Sequence, residues 1–136
     1  MTDLTFYDFA NEDLKFLEQA IGGEEKKFTH SMAPYIQGIV EKVLKHVVVS
    51  FVVPAKIPSD ILHTHSLRRL YFYLLDVLPN YKIDRIDINM LDGFYIDARY
   101  PGDSAYIVTK GAVEDAYEAL LRIKKYTDRF VKQNSK

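Results

Sequence analysis

The chain has 136 residues, 48% hydrophobic and 27% charged, which is enough apolar material for one globular domain with a core. Its formal net charge of -1 supplies no overall basic field, so contact with nucleic acid or an anionic membrane must rely on a local patch. With no cysteine, disulfides, cysteine metal sites and a thiol nucleophile are excluded. Asp3 stands where a secretory signal would carry basic residues, and the longest apolar run, Val47 to Pro54, is broken by Ser50 and is too short to span a bilayer. These features predict a single cytoplasmic domain.

Hydrophobic periodicity predicts five helices. The first carries Phe6, Phe9, Ala10, Leu14, Leu17 and Ile21 at three- and four-residue spacings and stops at Gly22-Gly23. The second begins near Thr29 or Ser31, either of which suits a cap, since Pro34 is tolerated only in a first turn. Met32, Tyr35, Ile36, Ile39, Val40, Val43, Leu44, Val47, Val48 and Phe51 form its apolar stripe, opposite Glu41, Lys42, Lys45 and His46. The β-branched run Val47 to Val53 would also suit a strand. No convincing second strand exists to pair with it, and an isolated strand leaves backbone groups unsatisfied, so the helix is expected to continue until Pro54 ends it.

After a loop containing Pro58-Ser59, a third helix carries Leu67, Leu70, Tyr71, Leu74, Leu75 and Leu78, with Thr64 as its expected cap and Pro79-Asn80 as its stop. The fourth is expected from about Asp84 to Ile96, with Ile86, Met90, Leu91 and Phe94 inward; the alternation from Ile83 to Ile88 gives a weaker strand alternative. The fifth, from about Gly111 to Lys132, turns Val113, Ala116, Tyr117, Leu120, Ile123, Thr127 and Phe130 to one side. The expected fold is an all-α, up-and-down bundle of four to five helices in one domain over residues 1–136, mostly antiparallel across short loops.

Phosphate loops, dinucleotide fingerprints and paired histidines at metal-binding helix spacing are absent from the sequence. His63 and His65 flank Thr64, but zinc needs three or four ligands, so the pair is expected to serve the start of the third helix and no metal or cofactor is expected. Residues 110–136 hold seven Lys or Arg against four Asp or Glu, while residues 76–103 hold six acids against three bases. Such faces suit either an interface or ordinary solvated surface, and exposed ion pairs contribute little.

The richest local chemistry lies in Tyr95-Ile96-Asp97-Ala98-Arg99-Tyr100-Pro101-Gly102-Asp103. Pro101 biases Tyr100 towards extended backbone and Gly102 favours a turn, so Arg99 is expected where a helix stops. Its planar donor fork suits phosphate or carboxylate, but a cation there could equally bind the carbonyls at its own helix end. The two roles are evenly balanced on sequence grounds.

Three segments together resemble the HEPN domains, small helical bundles. Tyr35 to Lys45 is similar to the family's Gln-x-x-x-Glu-Lys-x-Leu-Lys helix, through Gln37, Glu41, Lys42, Leu44 and Lys45. Thr64-His65-Ser66-Leu67 is similar to its Thr-His-Asp-Leu motif, and Tyr95 with Arg99-Tyr100-Pro101 to its Tyr…Arg-Tyr-Pro corner. The resemblance spans Leu14 to Val131. It implies a helical bundle, often a homodimer, whose partners are nucleotides, RNA or a small nucleotidyltransferase acting as antitoxin. Ribonucleases of the wider superfamily use an Arg followed four to six residues later by a His. Here the last histidine, His65, precedes the first arginine, Arg68, so no catalytic residue is carried over. The leading expectation is a non-catalytic module that binds phosphate through Arg99, Tyr100, His65, Tyr95 and Arg68. A ribonuclease toxin and a pure homodimerisation module, in which the second helix lays its stripe on a copy of itself, are the alternatives.

Overall fold

The computed structural model describes residues 4–94 and 108–135. Among these residues the chain forms five α-helices and no strand: α1 (Phe6–Ile21), α2 (Met32–Phe51), α3 (Leu67–Val77), α4 (Arg85–Asp92) and α5 (Lys110–Asn134), with a short 3-10 turn at Pro54–Lys56. The fold is an all-α bundle.

Local chemistry accounts for most of the boundaries. Thr5 opens α1 with a reciprocal capping box: its Oγ1 accepts from Asp8 N at 3.1 Å, and Asp8 Oδ2 accepts from Thr5 N at 2.8 Å. Gly22 closes it at φ 88°, ψ -174°, a conformation essentially reserved for glycine. Thr109 caps α5 by accepting from Ala112 N, and Asp84 caps α4 by accepting from Ile86 N. Two expected caps differ. Ser31 holds the cap position of α2 without a side-chain bond to it. Ser66, not Thr64, caps α3, because its Oγ accepts from Arg69 N at 3.1 Å, while Thr64 Oγ1 accepts from Ser66 N before the helix begins.

α2 is the central element and packs against α1, α3, α4 and α5. Ile36, Ile39, Val40, Val43, Leu44, Val47 and Val48 are fully buried, each contributing roughly 1.5–3 kcal/mol relative to exposure. The β-branched run stays helical through Phe51 because neighbouring helices bury Val47 and Val48 and no strand is present to pair with it among the described residues. The stripe is consumed inside the protein and is not available to a second copy. Contact pairs fix the directions. Tyr7 stacks on His46 while Tyr35 bonds Asp13, so α1 and α2 are antiparallel. Tyr71 meets Ile83 and Leu67 meets Asp92, so α3 and α4 are antiparallel; Asp87–Arg122 and Tyr81–Thr127 set α4 antiparallel to α5. Residues 52–66 carry the chain back along α2, so α3 starts beside Gln37 and Glu41 and runs towards Lys56, whose carbonyl accepts from Tyr73 Oη.

Two inward assignments are corrected. Ile86 is 76% exposed, because the Asp84 cap starts α4 at Arg85 and turns Asp87, Ile88 and Leu91 to the core instead. Phe9 is 43% exposed, because Ala10, Leu17 and Ile21 carry the buried side of α1 instead. The fourth helix, expected to run to Ile96, is corrected as well: it ends at Asp92 with Gly93 as its cap residue, while Ile96 lies outside the described residues.

Candidate functional site

A glutamine inside the apolar surface of α2 has to find partners. Gln37 is fully buried; its Nε2 donates to the His65 carbonyl at 2.7 Å, while its Oε1 has no partner among the described residues. One turn on, Glu41 uses both oxygens: Oε1 lies 3.0 Å from His65 Nδ1 and Oε2 accepts from Lys45 Nζ at 2.9 Å. The i, i+4, i+8 spacing of Gln37, Glu41 and Lys45 puts all three on one helical face. That face was expected in solvent, yet the Glu41 and Lys45 side chains are only 13% and 6% exposed. The correction has a tertiary cause: the segment leading into α3 returns over this face, and the buried charges are retained because they pair.

The start of α3 is built on the same junction. Asp92, from the end of α4, accepts from the backbone of Leu67 and Arg68, and Ser66 Oγ accepts from Arg69 N. The first amides of α3 are therefore already occupied, by a carboxylate that also suits the positive end of the helix dipole. An anion arriving here would have to be met by side chains. Two of the expected binding residues stand at this point: His65, half exposed with its ring oriented by Glu41, and exposed Arg68, whose guanidinium lies 5.9 Å from the Phe72 ring centroid. Tyr95, Arg99 and Tyr100 lie outside the described residues. His63 is exposed, and among the described residues no three His, Asp or Glu side chains group as metal ligands would. His63 and His65 do not bury the entrance to α3; His65 contributes its carbonyl and its ring edge to it.

Sequence inspection singled out neither Gln37 nor Glu41 as a site residue, although both stand in the segment that carries the resemblance. It gave Asp92 no role. A glutamine within an apolar stripe was the one available signal.

A second polar node was not foreseen. Tyr7 Oη bonds Asp128, which accepts from Lys124 Nζ at 2.7 Å; the same ammonium sits 4.5 Å from the Tyr7 ring centroid, and His46 stacks on that ring at 4.5 Å. Burial, then the Asp128 carboxylate, raises the Tyr7 phenol well above its usual range. Burial also lowers the His46 imidazole, against a smaller opposing pull from Asp8. These residues tie α1 to α5 and α2 and form a latch in the bundle.

Comparison with curated proteins and with solved structures gives no match. A family model described as HEPN domain matches residues 8–130, nearly the whole chain and all five helices apart from their outermost residues. The match covers the Gln37–Glu41 helix, the His65 junction and the segment holding Arg99, and no helix among the described residues is long and apolar enough to cross a membrane. The chain belongs to the HEPN domain family.

Proposed function

We propose that this HEPN domain is a non-catalytic binding module for the phosphate of a nucleotide or RNA, with His65, Arg68, Arg99, Tyr100 and Tyr95 as its contacts. The observation that carries the reading is the anchored imidazole of His65. Glu41 orients its ring and Gln37 holds its carbonyl, next to the exposed cation of Arg68. A donor ring held this way loses little freedom on meeting an anion. The non-catalytic part rests on residue order: no histidine follows any arginine, so the family's Arg-then-His arrangement cannot form. The domain acts as a homodimer or with a nucleotidyltransferase-type partner. Phe9 and Phe16, exposed seven residues apart on one side of α1, support an interface there, and sedimentation of the purified protein as a clean monomer at micromolar concentration would remove the homodimer. Isothermal titration of mononucleotides against the wild type, Arg99→Ala and His65→Ala tests the binding site. Loss of affinity in both variants is expected; equal binding by all three proteins would overturn it.

A second reading, a ribonuclease toxin restrained by a partner, is favoured by one feature only: a carboxylate on an imidazole at 3.0 Å, the pairing that general acid–base histidines use. Cleavage of labelled RNA by the wild type but not by His65→Ala would establish it in place of the first.

A further inference from the structure

Immediately beyond His65 and Arg68, the outer surface of α3 and α4 has an unusual composition for a chain of net charge -1. Phe72 is 45% exposed, one helical turn after Arg68. The Arg68 and Arg85 guanidinium carbons lie 5.9 and 5.6 Å from its ring centroid, one reaching from α3 and the other from the first residue of α4. Other arginines nearby are matched with acids: Arg69 with Asp60, and Arg122 with Asp87. Among the described residues, neither Arg68 nor Arg85 forms an ion pair. The neighbouring carboxylates are turned to other tasks, Asp84 capping α4 and Asp92 holding the start of α3. Asp76, a further turn along α3, marks the end of the patch.

We propose that the Arg68–Phe72–Arg85 surface is a docking track for single-stranded nucleic acid, extending the phosphate site of the proposed function, on which it rests, by at least one nucleotide. A single strand offers alternating phosphates and aromatic faces, and this surface offers two unpaired guanidinium groups flanking an exposed ring. A base stacks on Phe72 in place of one guanidinium, which swings to the adjoining phosphate; the second guanidinium meets the next phosphate. Stacking of this kind tolerates any base, because each has a π face. The planar guanidinium fork is the group suited to phosphate. A duplex would not present an unpaired base, so the track discriminates in favour of single strands.

Fluorescence anisotropy with end-labelled decauridylate and decathymidylate, on the full chain, tests this. Phe72→Ala is expected to weaken binding of the tighter decamer about five- to a hundredfold, the range for losing one stacked base. Arg85→Ala is expected to lower the salt slope of binding by about 0.7, as for one lost phosphate contact on a single strand. Phe72→Trp is expected to retain affinity, with indole fluorescence quenched on binding. Both residues are exposed, and mononucleotide affinity is expected to stay at the wild-type value in all three variants. Whichever decamer binds more tightly identifies RNA or DNA as the ligand. Mononucleotide binding without decamer binding, or decamer binding unchanged in Phe72→Ala and Arg85→Ala, overturns the track and leaves the phosphate site standing. Phe72-dependent binding of polyglutamate but of neither decamer also overturns it and reassigns the surface to an acidic protein. Phe72-dependent decamer binding with no mononucleotide affinity supports the track and overturns the phosphate site.

Discussion

Replacing Glu41 by leucine tests whether the junction between α2 and α3 is a buried ion pair or a surface one. Glu41→Leu leaves the Lys45 ammonium, 6% exposed, without its carboxylate and removes the group that orients His65. Losing one partner of a buried pair costs about 3–5 kcal/mol, against roughly 0–1 kcal/mol for an exposed pair. With an unfolding entropy of about 2.1 cal/mol/K per residue over this chain length, each kcal/mol lowers Tm by about 3.5 °C, so a fall of about 10–17 °C is expected. The double variant Glu41→Leu, Lys45→Met removes the stranded charge and is expected within about 1 kcal/mol of wild type, since apolar replacement of a whole buried pair is often neutral. His65 is half exposed, so water can replace its lost acceptor. Urea unfolding of the wild type, both single variants and the double, followed by circular dichroism, measures the coupling. A cost below about 1 kcal/mol for Glu41→Leu, or a double variant no better than the worse single, would refute the buried pair.

Three further outcomes are expected. Burial holds the folded pKa of His46 below its ordinary 6.5, so the folded state binds fewer protons there than the unfolded chain; this contribution is complete above pH 6.5 and is lost as pH falls towards the folded value. In His46→Gln the decline of Tm on acidification below that pH should be shallower, and an identical profile would exclude His46 as a source. Gly22→Ala, forced to φ 88°, should cost about 1–3 kcal/mol in equilibrium unfolding, and a neutral substitution would show that the end of α1 relaxes readily. Arg122→Ala strands the Asp87 carboxylate, which is 7% exposed and accepts from Arg122 at 2.8 and 3.1 Å, and should cost about 1.5–3 kcal/mol; Asp87→Asn tested alongside should cost less, because it removes the charge.

The segments that the sequence could assign were those governed by neighbours along the chain. Periodicity located the five helices of the described residues, Gly22 stopped the first, and Pro54 bounded the second. The strand alternatives at Val47–Val53 and Ile83–Ile88 failed for one reason: a strand needs a partner, and a helix satisfies its own backbone. Two of the segments behind the family resemblance were legible as separate motifs, and the fold joins them, since Gln37 and Glu41 both contact His65. The Arg99 corner lies outside the described residues.

What remained hidden depends on groups far apart in sequence. Nothing local to Glu41 and Lys45 distinguishes them from a solvated helical face; their burial comes from packing between elements, with His65 brought beside Glu41 by the return of the chain along α2. Ser66 caps α3 in place of Thr64 and Asp92 reaches its first amides because the end of α4 arrives beside them, 25 residues downstream of Leu67. Ile86 faces water for the complementary reason, since Asp87 takes the inward position and meets Arg122 of α5. Helix type and approximate length follow from short-range hydrogen bonding, which the sequence by itself determined. Which polar face is covered, and by what, is set by packing between elements, and that only the tertiary structure decided.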